Sequence, residues 1–178
     1  MEIREDFLEP VEGYSNELAY YVGALMKARA MTRTVLEDLT PAEIARRVLP
    51  EMHSIGALAL HLGEAEYYWI QEVAAGRDLT DEERAFAHMF DTMEQDYDRG
   101  LTAEYCIGRI DAISAMTRET LKQFSDDDLQ KVYVREYDGA RTDITLRSIL
   151  FRLIDHEAHH RGQLSMIKRV IRGGETVS

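Results

Sequence analysis

TLRSILFRLIDHEAHHRGQLSMIKRVI, residues 145–171, is the stretch whose reading decides the fold. Leu146, Ile149, Leu150, Leu153, Leu164 and Ile167 recur mostly at three- and four-residue spacing, the period of a helix with one apolar face. Gly173-Gly174 stops the pattern, and Lys168, Arg169 and Arg172 fall in its last turns, where cations favour the negative end of the helix dipole. A helix this long has to bury its stripe against other elements.

Three further segments supply partners. Residues 15–39 place Leu18, Tyr21, Val22, Leu25, Ala28 and Leu36 on a helical period. Residues 54–75 do the same with Ile55, Leu58, Leu62, Ala65, Trp69 and Val73, and Gly76 ends them. Residues 102–124 carry Ile107, Ile110, Ile113, Leu121 and Phe124 before the cap-type run Ser125-Asp126-Asp127-Asp128. Capping boxes at Thr40-Pro41-Ala42-Glu43 and Thr80-Asp81-Glu82-Glu83 start short helices in the connections. Between Lys131 and Thr142, Val132 and Val134 alternate ahead of Asp138-Gly139, which predicts a short extended hairpin. Four apolar stripes without a sustained strand pattern predict an all-α four-helix bundle. The long crossover after Gly76 lets the second and third long helices run parallel.

A length of 178 residues suits a single domain, 1–178, with an ordered core over about 15–171. The apolar runs are too short to span a bilayer, so no membrane association is expected. Met1-Glu2-Ile3-Arg4-Glu5-Asp6 lacks a basic start and an apolar run, so a cytoplasmic protein is expected. The single cysteine, Cys106, agrees with a reducing compartment. A net charge of −12 opposes phosphate backbones and argues against nucleic acid as a partner.

The six histidines carry the chemistry. Each residue turns about 100° around a helix, so His156 and His160 lie roughly 40° apart, one turn up, whereas His159 diverges by about 100° from His160. With Leu146, Leu153 and Leu164 at the centre of the apolar face, His160 lies on that face and His156 at its edge. Two imidazoles near an apolar core need partners, and a divalent cation satisfies both. A third ligand has to come from upstream. His61 sits mid-helix beside Ala57, Ala65 and Tyr68, whereas His53 and His88 occupy positions typical of caps or solvent-facing residues. His61 also fits an ordinary hydrogen-bonded core histidine, and Tyr68 and Trp69 fit core aromatics.

His156-Glu157-Ala158-His159-His160 satisfies H-E-x-x-H, the zinc peptidase motif whose glutamate is a general base. The extended form of that motif wants glycine at position 163 and a later histidine, but the chain has Gln163 and no histidine beyond His160. The other common form needs a glutamate on a following helix, and only Glu175 remains.

Taken together, SIGALALHL at residues 54–62 and HEAHHRGQL at residues 156–164 resemble the DinB/YfiT superfamily. The resemblance implies an up-down-down-up bundle, often a homodimer, with His61, His156 and His160 holding one divalent ion, zinc or nickel foremost. It further implies a metal-dependent enzyme, the leading reaction being transfer of a low-molecular-weight thiol to a small electrophilic substrate. Glu157 is then expected as a proton acceptor or ligand-orienting group, and Gln163 as a hydrogen-bonding group near the ion. Metal-assisted hydrolysis and a non-catalytic metal-binding stress protein are the alternatives.

Overall fold

The computed structural model describes residues 7–87, 100–137 and 139–173. The predicted helices are present with slightly shifted ends: α1 (Asn16–Leu36), α2 (Pro41–Ala45), α3 (Ile55–Tyr67), α4 (Asp81–Ala87), α5 (Ala103–Leu121) and α6 (Leu146–Gly173). The expected hairpin is also present as β1 (Val132–Tyr137) paired antiparallel with β2 (Ala140–Thr145). His88, Asp138, Gly174 and Glu175 lie outside the described residues.

The starts are set by side chains that accept otherwise unpaired N–H groups. Ser54 Oγ accepts from the N–H of Ala57, Thr102 Oγ1 from that of Tyr105, and Thr40 and Glu43 form the expected reciprocal box. The first turn of α1 is capped from a distance. Asp126, in the 3-10 turn Asp126–Gln130, accepts from the N–H groups of Glu17 and Leu18 and from the Ser15 hydroxyl.

Contacts at the helix ends fix the topology. Arg147 at the start of α6 pairs with Glu17 at the start of α1, and Lys168 and Arg172 at its end pair with Asp38 just beyond α1, so these helices run parallel. Gly56 meets Leu101 at one end of the α3–α5 pair, and Gln71 bonds Thr120 at the other, so α3 and α5 are also parallel. Tyr14, just before α1, donates to the carbonyl of Arg118 late in α5, which makes the two pairs antiparallel. The result is up-down-down-up. α3 is the central element: residues 55–60 are all buried, as expected of a helix covered on every side by α2, α5 and α6.

α3 does not end as a plain α-helix. Tyr68–Ala74 is π-helical, with Ala75 N–H reaching the carbonyl of Ile70, five residues back. The hairpin also differs from its sequence pattern: Val132 and Val134 face solvent, while Tyr133 and Arg135 turn toward the bundle. An edge hairpin lying on one face of the bundle is half solvated, and here the long side chains with polar tips cover the apolar surface.

Apolar residues gather at two levels. Leu36, Ile55, Leu62, Ile110, Leu164 and Ile167 fill one end of the bundle, and Leu18, Trp69, Leu121, Leu146 and Leu150 the other. Each fully buried leucine or isoleucine contributes roughly 1.5–3 kcal/mol. Between these levels lies a buried polar cluster. Arg29 of α1 donates to the carbonyl of Ile110 on α5 at 3.0 Å, to Glu66 Oε2 on α3 at 2.7 Å and to Glu157 Oε2 on α6 at 2.9 Å. All three charged residues are nearly inaccessible. Burial raises the Glu66 carboxyl above its ordinary value, with Arg29 pulling the other way.

Two stability predictions follow from these contacts. Asp126→Ala should cost about 1–2 kcal/mol in urea unfolding, because it strips a remote cap from α1. Arg29→Met should cost about 3–5 kcal/mol by leaving two carboxylates buried without their cation, and adding Glu66→Met and Glu157→Met should restore most of it. A small loss in the Arg29 variant would mean that the cluster is hydrated rather than dry.

Candidate metal centre

Arg152, His156 and His160 stand one turn apart on a single stripe of α6, and His61 faces them from the middle of antiparallel α3. The three rings meet edge to face, with centroids 4.9 Å (His61–His156), 5.1 Å (His61–His160) and 4.4 Å (His156–His160) apart. One nitrogen from each lies within 4.8 Å of the others, and His61 Nε2 is 3.1 Å from His156 Nε2. Imidazole nitrogens sharing a tetrahedral ion at about 2.1 Å stand roughly 3.4 Å apart, so small side-chain adjustments seat one ion.

The far nitrogens are held by neighbours. His61 Nδ1 lies 3.3 Å from Glu64 Oε2, which accepts its proton and leaves Nε2 as the donor atom toward the site. His160 Nδ1 lies 2.6 Å from Gln163 Oε1, and the Gln163 amide donates to His159 Nε2 at 3.2 Å. Burial, reinforced by the neighbouring imidazoles, pushes His156 down to about 3, and burial lowers His160 as well. Neutral rings present lone pairs rather than protons, which suits a cation. A donor set of three imidazoles without a thiolate fits zinc, nickel, copper or iron better than calcium or magnesium.

A cavity of about 250 Å³ opens beside His61 and His156. Tyr68 and Trp69 of the π-helical stretch, Arg135 of β1 and Arg152 of α6 form much of its wall. The extra residue per turn of the π stretch keeps both aromatics on the groove side, so Trp69 serves the core and the cavity at once.

The structure thus brings together His61, His156, His160 and Gln163. It does not bring Glu157 to them: that carboxylate points into the Arg29 cluster, 4% exposed, and lies away from the cavity wall. His159 is exposed and bonds Gln163, and His53 precedes the Ser54 cap outside the triad. Sequence reasoning missed Glu64, Arg152 and Arg135. The first two carry a signal, since Glu64 lies three residues after His61 and Arg152 four before His156; Arg135 arrives on a hairpin whose placement no local pattern encodes. Cys106 is fully buried, and burial pushes its thiol up to about 12, which removes it as a nucleophile.

No curated protein sequence matches the chain significantly. Among solved structures, a DinB-like protein from Bacillus cereus is similar at 18% identity and TM-score 0.62, covering 87% of this chain and 91% of its own. A conserved protein from Enterococcus faecalis aligns at 18% identity and TM-score 0.67, covering 86% and 95%. YfiT from Bacillus subtilis, described as "a probable metal-dependent hydrolase with an unusual four-helix bundle topology", aligns at 14% identity and TM-score 0.65, covering 92% and 93%. At these identities the likeness establishes the fold. The family model for mycothiol-S-transferase matches residues 21–173, a span that runs from α1 to the end of α6 and takes in all three site histidines. The chain therefore belongs to the mycothiol-S-transferase family, and its fold is the one seen in the DinB-like protein and in YfiT.

Proposed function

We propose that this chain is a divalent-metal-dependent S-transferase that joins a low-molecular-weight thiol, of which mycothiol is the family's example, to a small electrophile. The observation that carries this reading is the convergence of three imidazoles beside an open cavity, since a three-histidine set leaves a coordination position for a reactant. His61, His156 and His160 would hold the ion, zinc or nickel foremost, while Glu64 and Gln163 fix the ring orientations. A bound divalent ion supplies Lewis acidity, lowering the pKa of a thiol or water beside it so that a nucleophile exists near neutral pH.

The thiol passes its proton to solvent water, its sulfur forms the new bond to the electrophilic carbon, and the leaving group departs with the electron pair of the bond that breaks. The thiol has to come from outside the chain, because the chain's one cysteine is sealed in the core. Tyr68 and Trp69 line the cavity and limit the size of what enters. Hydrolysis is the second reading, favoured by the description of YfiT and by a cavity open enough to admit water.

Elemental analysis should find about one zinc or nickel ion per chain, lost in His61→Ala and in His160→Ala; unchanged metal content in either variant would remove that ligand from the set. Gln163→Ala should weaken metal affinity about 10- to 100-fold, read by competition with a chelator. With metal restored, mycothiol should be consumed with an alkylating electrophile. Ester or amide cleavage without thiol would instead select the hydrolase.

A further inference from the structure

The groove between α3 and α6 holds a second cavity, of about 500 Å³, further along from the histidines. Val48, Met52, Leu58, Met166, Ile167 and Val170 supply its apolar lining, and His53 and Gln163 complete it. Seven residues turn a helix through about 700°, just short of two full turns, so Gln163 follows on the stripe of His156 and Ile167 on that of His160. Leu58 precedes His61 by three residues, roughly 4.5 Å of rise, and Gln163 follows His160 by the same step. The first cavity lies the other way, toward Ala65 on α3 and Leu153 on α6, so the triad stands between the two. Gln163 links the second cavity to the triad: its side-chain oxygen lies 2.6 Å from His160 Nδ1, and the same residue forms part of the wall.

The two cavities differ in size and in chemistry. The first, about 250 Å³, falls below the roughly 300–1,000 Å³ of sites for drug-sized ligands, which leaves little room for a thiol and its electrophile together. The second falls within that range, and no Asp, Glu, Lys or Arg side chain lines it. Met52, Met166 and Val170 keep apolar surface exposed there, which an apolar ligand would remove from water. Two of these are methionines, whose unbranched, polarizable chains adapt to ligands of differing shape. Transfer between two molecules requires both to be held beside one reaction centre, and the second cavity adjoins that centre through Gln163. We propose that it is a subsite for the apolar part of the electrophile, an alkyl or aryl chain whose reactive end extends past Gln163 to the triad. This assignment deepens the transferase reading and rests on it for the word electrophile, whereas the binding of an apolar ligand does not require turnover.

N-phenyl-1-naphthylamine, a neutral apolar fluorophore, should brighten saturably when titrated with the full-length protein, at one site per chain, before and after chelation of metal. Straight-chain alcohols from butanol to octanol should displace it, each added methylene tightening binding roughly 4-fold. Val170→Asp, a change at an exposed position, should weaken the fluorophore at least about 10-fold with an unchanged melting temperature. Phe151→Asp, at an exposed apolar position that does not line the cavity, should leave binding as in wild type. With metal and mycothiol supplied, the KM for N-alkyl iodoacetamides from methyl to hexyl should fall with chain length, and Val170→Asp should flatten that trend. The subsite is overturned if the fluorophore shows no saturable binding, if Val170→Asp binds it as well as wild type, or if Phe151→Asp loses it equally. A wild-type dimer that Val170→Asp dissociates would also overturn it, because a second copy of the chain would then cover this face. Mycothiol turnover with a KM indifferent to chain length would sink the subsite and leave the transferase standing. Fluorophore binding lost in Val170→Asp, in a protein without any thiol turnover, would sink the transferase and keep the cavity as an apolar-ligand site.

Discussion

One guanidinium buried where four helices meet sets the terms for everything else in this molecule. Arg29 of α1 reaches a carbonyl on α5 and carboxylates on α3 and on α6, so each of the other three long helices contributes one partner to one cation. Apolar stripes slide over one another at modest cost, whereas a buried charge tolerates only the arrangement that satisfies it. The cluster therefore acts on register rather than on net stability. Glu66 lies five residues beyond His61, and Glu157 directly follows His156. Fixing the two carboxylates on Arg29 thus fixes the height at which the imidazoles of α3 and α6 oppose each other.

The same cross-section separates two kinds of polar group. Carboxylates and their cation point inward, sealed between the two apolar levels. The site imidazoles of α3 and α6, partly buried, and the cavity arginines of β1 and α6 occupy the groove side. Burial favours the neutral forms of His156 and His160, and Arg135 and Arg152 stand on the wall of the adjoining cavity. A neutral donor set whose far nitrogens are held by neighbouring side chains is a workable arrangement for holding an ion.

Much of this was legible in the sequence because it follows from periodicity. The 3.6-residue repeat of α6 separates His156 and His160 from His159 by angle alone, and mid-helix His61 is distinguished from His53 by its apolar neighbours. The four helices and their caps followed from the same reasoning. What stayed hidden depends on contacts between distant segments. Arg29 and Glu66 carry no local signal of burial, since such residues are rarely buried without partners that only the folded state supplies. Glu157 was expected as a proton acceptor or ligand-orienting group beside His156, but its direction on α6 is toward Arg29. The π-helical widening at Tyr68 and the inward turn of Arg135 rather than Val134 are tertiary outcomes that override local pattern.

The remote cap on α1 has a consequence for how the chain comes off the ribosome. The carboxylate that completes its first turn belongs to a residue 109 positions later than Glu17, and its docking partners on α6 come later still. At roughly 5–20 residues per second, α1 emerges some 5–20 s before the aspartate that finishes it. Until then its apolar stripe has only the segments through residue 74 to pack on, without α6, and the nascent N-terminal half is the stage at which a holding chaperone matters most to this protein.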